Sequence, residues 1–193
     1  MYPTLTIALP EWVPEVVAAA PPALATPEER MALAVALARE NVSRGGGPFG
    51  AVIVEEGSGR VVAAGVNLVV PLNCSLAHAE TVAIALAQQV VGSHNLGAPG
   101  MPDLQLVTST EPCAMCLGAI PWSGISSILC GADADDAERI GFDEGDKPDD
   151  GPAALERRGI AVTRGVLKAE AQDVLADYGR RGGPIYNGRT RRI

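Results

Sequence analysis

Apolar residues along the chain fall into runs of two kinds. "AVIVEE" (51–56) and "RVVAAGVNLVV" (60–70) are short, rich in valine and separated by the turn "GSG" (57–59), which predicts a β-hairpin. "RMALAVALAREN" (30–41) is long and built of strong helix formers. It follows a set of helix-start signals: Thr26 at the N-cap, Pro27 in the first helical position, and Glu28 and Glu29 in the first turn. "GGGPFG" (45–50) breaks the chain between this helix and the hairpin. Further on, the runs predict a helix from about Ala77 to Val91, a strand at "LQLVTST" (104–110), a short helix from Cys113 and a strand at "SSILCGA" (126–132). A strand near "IAVTRGVL" (160–167) and a helix near "AEAQDVLADYG" (169–179) complete the series. Strands and helices alternating in this way predict a layered α/β sheet that is partly parallel. "GFDEGDKPDDGP" (141–152) reads as an acidic loop, and no internal repeat stands out.

With 193 residues, 47% of them hydrophobic, the chain suits one domain with a substantial core. That domain is expected over residues 26–179. Residues 1–25 form a proline-rich extension in which Trp12, Val13, Val16 and Val17 can dock a short helix on the body. Residues 180–193 form a tail with five arginines and no acid; the rest of the chain holds ten basic and 23 acidic residues, a net of −13, and the whole chain is at −8. An acidic surface with only 4% aromatic residues repels phosphate backbones and offers few stacking platforms, which argues against nucleic acid as a partner. The first basic residue is Arg30, and Pro3, Pro10, Pro14, Pro21 and Pro22 interrupt the apolar N-terminus. Neither a signal peptide nor a membrane span is therefore expected, and a cytoplasmic setting is.

Four cysteines, Cys74, Cys113, Cys116 and Cys130, are too few and too unevenly spaced for a disulfide framework. In a reducing compartment a Cys-x-x-Cys pair implies metal or redox chemistry. Cys130, in an apolar strand, reads as core, and Cys74 as a packed thiol. "LAHAETVAIA" (76–85) carries His78 and Glu80 inside a run that is otherwise small and apolar. Thirty-five positions after His78 stands Cys113, within "STEPCAMCLGAI" (109–120). Pro112 can open a helix there, Cys113 and Cys116 then share one face, and free backbone N–H groups at the terminus favour thiolates. Zinc takes a tetrahedral set of soft and borderline ligands, and a catalytic zinc draws three from the protein while water fills the fourth place. His78 completes the three. Residues i and i+2 of a helix do not share a face, so Glu80 need not compete for the metal and can approach the bound water. Zinc lowers the pKa of such a water towards roughly 7, and Glu80 is expected to act as general base and acid. A structural zinc would need a fourth protein ligand, and neither Cys74 nor Cys130 has paired spacing.

His78-Ala79-Glu80 followed by Pro112-Cys113-Ala114-Met115-Cys116 matches the zinc deaminase pattern His-x-Glu and Pro-Cys-x-x-Cys. The chain resembles the cytidine deaminase superfamily. From "GGPFGAVIV" through "AHAE" and "EPCAMCLGAI" to "GFDE", roughly residues 28–150, it is similar to the bacterial guanine deaminases of that superfamily. The resemblance implies a three-layer α/β/α sandwich with a central mixed five-stranded sheet, the cytidine deaminase-like fold, with zinc held between two helix N-termini. It implies hydrolytic deamination of a free purine base, guanine to xanthine and ammonia, in purine catabolism. Asn67 would then hydrogen-bond the base, Phe49 and Trp122 would border it, Ala79 would lie beside it, and Glu144 would help protonate the departing amine. Bacterial members usually carry aspartate at that last position, and glutamate keeps the charge and lengthens the reach. Related deaminases of guanine and of the triazine ammeline vary in the same way. The resemblance further implies a domain-swapped homodimer whose C-terminal segments cross to close the partner's pocket, with Tyr186 as the lid residue. Ammeline and cytosine stand as alternative substrates. A tRNA adenosine deaminase shares the zinc motifs but must bind polyanionic RNA, which the net charge opposes. A zinc-stabilised binding module would have no need of Glu80.

Overall fold

The computed structural model describes residues 2–148 and 151–188. In chain order the elements are α1 (Val13–Ala19), α2 (Pro27–Ser43), β1 (Gly50–Glu55), β2 (Val61–Val66), α3 (Val69–Leu72), α4 (Ala79–Val91) and β3 (Leu104–Thr110). They continue with α5 (Ala114–Ser123), β4 (Ser127–Ala132), α6 (Ala134–Arg139), α7 (Gly151–Glu156), β5 (Ala161–Thr163) and α8 (Lys168–Arg180). α2 begins where its start signals place it. The Thr26 hydroxyl accepts from the Glu29 backbone N–H while the Glu29 carboxylate accepts from the Thr26 N–H, a complete capping box. α3, α6 and α7 were not predicted, and the second strand of the hairpin, expected through Val70, ends at Val66, with Val69 opening α3. α6 is closed by a second capping box between Asp133 and Asp136, and α7 begins at the end of the acidic loop.

The strands form one mixed sheet in the order β2-β1-β3-β4-β5. β1 is antiparallel to both β2 and β3, whereas β3, β4 and β5 run parallel. Every residue of β3 and β4 is buried, as helices on both faces require. The period-two alternation of a strand sorts the side chains between those faces. Val52, Val54, Val107 and Leu129 pack with Met31 and Leu37 of α2 and Leu175 of α8. Ala51, Ile53, Leu106 and Ile128 pack with Ala83 of α4, Ile120 of α5 and Leu155 of α7. This is the α/β/α sandwich implied by the resemblance. The N-terminal extension is fastened to the body: Val13 and Leu24 are buried, and Leu24 donates its backbone N–H to the Gly59 carbonyl. No helix among the described residues is long and apolar enough to cross a membrane.

The strand directions decide where a site can form. β2, β3 and β4 all point the same way, so Asn67, the Glu111-Pro112-Cys113 segment and Asp133 leave the sheet at one edge. Ligands of open α/β sheets bind at the carboxyl ends of strands such as these.

Candidate active site

Gly65 sets the position of α4. A Cβ there would run into the Ala79 carbonyl oxygen and lie 2.6 Å from the Ala83 nitrogen, both backbone atoms, so glycine lets the helix rest directly on β2. His78 is the N-cap residue of α4 and Cys113 that of α5, and neither side chain caps its own helix. They turn towards each other. His78 Nδ1 lies 3.5 Å from Cys113 Sγ and 3.6 Å from Cys116 Sγ, and the three ligand atoms lie within 4.8 Å of one another. Zinc–nitrogen and zinc–sulfur bonds of about 2.1 and 2.3 Å, set at a tetrahedral angle, separate such donors by about 3.6 Å. The group therefore fits zinc as it stands. A hydrogen bond from Cys116 holds the Cys113 thiol down to about 4, a value that favours the metal-binding thiolate. Burial opposes the charged form of His78, but the Cys113 hydrogen bond and the Glu80 charge outweigh it and raise its pKa.

His78 and Cys113 line a cavity of about 310 Å³ together with Phe49, Glu80, Phe142, Glu144 and Tyr186, with Cys116 buried behind them. Glu80 sits in the first turn of α4, where burial, followed by the Cys113 charge, pushes its carboxyl up to about 7. Phe49 and Phe142 meet edge to face with ring centroids 5.0 Å apart, and Phe142 meets Tyr186 at the same distance. Phe142 was missed in the sequence. Its signal was a large apolar residue within an otherwise polar, acidic loop.

Asn67 is buried, and its orientation is set from both ends. Its Oδ1 accepts the Val69 N–H at 3.2 Å, while its backbone carbonyl accepts from Asn41 Nδ2, which also holds the Gly47 carbonyl. Asn67 Nδ2 and the Tyr186 hydroxyl are the two buried side-chain polar atoms with no hydrogen-bond partner among the described residues. Both side chains approach Gly47: a Cβ there would collide with the Tyr186 hydroxyl and lie 3.1 Å from Asn67 Cγ.

The acidic loop is sorted residue by residue. Asp143 and Asp146 are exposed, whereas Glu144 is 5% exposed and lines the cavity. The Glu144 carbonyl accepts the Ala114 N–H at 2.9 Å, which fixes the loop to a free donor at the start of α5. Burial raises the Glu144 carboxyl, and Lys147 Nζ, 3.0 Å from Oε2, works against that rise.

Two of the expected site residues lie away from the cavity. Trp122 does not border the cavity. It lies six positions after Cys116, about 240° around the helix, and is 84% exposed, while Phe142 supplies the second aromatic wall. Ala79 is buried in the core against the sheet and its side chain does not line the cavity. Within the chain, Asn187 Oδ1 accepts the Asp143 N–H at 2.8 Å and Asn187 Nδ2 donates to the Gly141 carbonyl, so the C-terminal segment packs along the acidic loop and Tyr186 lines the cavity. Arg189, Arg191 and Arg192 of the tail lie outside the described residues. Cys74 packs, half-buried, against the core, and Cys130 is fully enclosed, where burial drives its thiol pKa up.

The fold and the paired helix-terminal ligands define a zinc-binding deaminase domain. Residues 25–132 match the cytidine and deoxycytidylate deaminase zinc-binding region, and the chain belongs to that family. It is 46% identical over 112 residues to the guanine deaminase of Bacillus subtilis (strain 168), covering 58% of this chain and 67% of that one. Among solved structures it is similar to guanine deaminase from Nitrosomonas europaea, with 46% identity, a TM-score of 0.88, and 93% of this chain and 98% of that one covered. A further similar structure, of a mutant in complex with 8-azaguanine, gives 47% identity and a TM-score of 0.87 over 94% of this chain and 98% of that one.

Proposed function

We propose that the protein hydrolytically deaminates guanine to xanthine and ammonia. The observation that carries this reading is Asn67 Nδ2, a buried donor with no partner among the described residues whose companion Oδ1 is already engaged, in a site whose cavity has an aromatic wall of Phe49 and Phe142. Such a donor is satisfied by a flat ring that presents an acceptor, as guanine does at O6 and N7. The similarity to guanine deaminases supports the same substrate. Zinc, when bound by His78, Cys113 and Cys116, supplies the Lewis acid that makes water a nucleophile near neutral pH. Glu80 takes the proton of the water that attacks C2 and passes it to the ring nitrogen. Glu144 then protonates the amine as the C2–N bond breaks, Glu80 takes the hydroxyl proton as the C2 carbonyl forms, and ammonia leaves. Tyr186, held over the pocket by the Asn187 contacts, excludes bulk water from these transfers.

The protein acts in purine catabolism as a homodimer in the cytoplasm. Exposed Trp122 and Val90, 84% and 64% accessible, supply apolar surface for a partner. A reducing compartment keeps Cys113 and Cys116 as free ligands. Ammonia release from guanine, ammeline, cytosine, cytidine, adenine and a tRNA anticodon stem-loop tests the reading. Release from guanine above the others is the expected result, and release from the stem-loop alone overturns it.

A further inference from the structure

Glu144 is buried on a loop, and a proton donor must come within about 2.6–3.2 Å of the atom it serves. What holds its side chain is Lys147. Lys147 Nζ lies 3.0 Å from Glu144 Oε2 and 3.3 Å from the Pro112 carbonyl oxygen, and it belongs to the same loop as the acid it contacts. The lysine and glutamate side chains are only 20% and 6% exposed, so this pair escapes most of the solvent screening that makes surface ion pairs nearly worthless. Glu144 Oε1 takes no hydrogen bond among the described residues. One carboxylate oxygen is therefore clamped and the other is left for the cavity. Through Pro112 the same ammonium fastens this arrangement to the residue just ahead of Cys113, beside the backbone bond from the Ala114 N–H to the Glu144 carbonyl.

We propose that Lys147 is a positioning residue: it holds Glu144 by Oε2 against the start of α5, so that Oε1 is the oxygen presented to the departing amine. This rests on the role given to Glu144 under the proposed function. An ammonium on a four-carbon stem can bridge a carboxylate and a carbonyl, and arginine preserves the charge and the donors, whereas methionine keeps only the apolar stem.

The test compares Lys147→Met, Lys147→Arg, Glu144→Gln and the double variant Glu144→Gln/Lys147→Met by kcat and KM for guanine, Kd for 8-azaguanine, zinc per chain and Tm. Lys147→Met is expected to lower kcat about 10- to 100-fold while zinc content and 8-azaguanine affinity stay within about twofold. Lys147→Arg should restore most of kcat. The double variant should be no slower than Glu144→Gln, because a positioning residue has nothing left to position. If the lysine substitution slows Glu144→Gln by the same factor as it slows the parent, or strips zinc, Lys147 does not act through Glu144 and the assignment falls while the role of Glu144 stands. An unchanged kcat in Lys147→Met overturns it equally. A Glu144→Gln protein that turns over at the parental rate instead removes the reading on which the assignment rests. Should Lys147→Met fail to fold, Lys147→Gln carries the same comparison.

Discussion

His78 and Cys113 stand 35 positions apart in the chain, yet each is the N-cap of its helix and His78 Nδ1 lies 3.5 Å from Cys113 Sγ. Neither side chain caps its own helix, so both are available to a metal. Purified protein should contain one zinc per chain. His78→Ala and Cys113→Ser should lose metal and activity together, whereas Glu80→Gln should keep the metal and lose about two to four orders of magnitude in kcat. Metal analysis alongside turnover separates the two outcomes, and a metal-free Glu80→Gln protein would make Glu80 a ligand.

Glu144 and Asp146 differ in burial although they are two positions apart in one acidic run. Glu144→Gln should retain zinc and bind guanine with similar affinity while kcat falls by roughly two to four orders of magnitude. Asp146→Asn should be nearly silent. Equal kinetics for the two variants would leave Glu80 carrying both proton transfers.

Ending the chain after Gly182 removes Tyr186 and both Asn187 hydrogen bonds to the acidic loop. KM for guanine should rise about tenfold or more, with zinc content unchanged, since a lid excludes water without touching the metal. Steady-state kinetics of the truncated protein check this, and an unaltered KM would deny the segment a part in closure.

Gly65→Ala places a methyl group against the backbone of Ala79 and Ala83, which cannot yield as a flexible side chain would. α4 must lift from β2, carrying His78 and Glu80 with it. The expected cost is about 1–3 kcal/mol of stability, the usual size for overpacking, together with weaker zinc binding. Denaturant unfolding and a zinc competition titration measure the two effects.

Asp136 links folding to pH. Burial raises its carboxyl, but the Asp133 N–H, Gln172 and Arg139 outweigh it and hold the pKa below the ordinary aspartate range. A carboxylate whose folded pKa is depressed adds stability that is present above its unfolded pKa of about 3.9 and is lost as the pH falls through the folded value. Asp136→Asn should therefore be less stable than the parent by about 1–2 kcal/mol at pH 7, and the gap should close as the pH falls through the depressed folded value. Urea midpoints of the two proteins, followed from pH 7 into acid, show it.

Much of the metal site could be read along the chain because helix periodicity and capping are local. Pro112, Cys113 and Cys116 lie within one turn, and His78 and Glu80 within three residues. The hairpin and α2 were legible for the same reason, their turn and capping signals lying within a few positions. α6 and α7, short and set in acidic sequence, carry too few apolar positions for a period to show. The walls of the pocket depend on long-range packing. Trp122 is an aromatic beside the zinc helix in sequence, but its angle around α5 turns it to solvent, while Phe142 reaches the cavity from a loop 29 positions after Cys113. Nothing local marks Asn41 as the residue that joins Gly47 to Asn67, and although Lys147 stands three positions from Glu144, its bond to the Pro112 carbonyl, which fastens the pair to α5, exists only in the folded chain. Residue type and spacing can encode a set of ligands, because coordination chemistry demands few atoms of fixed kind. A binding pocket is a shape, and its walls are chosen by whichever side chains the packing of three layers turns inward.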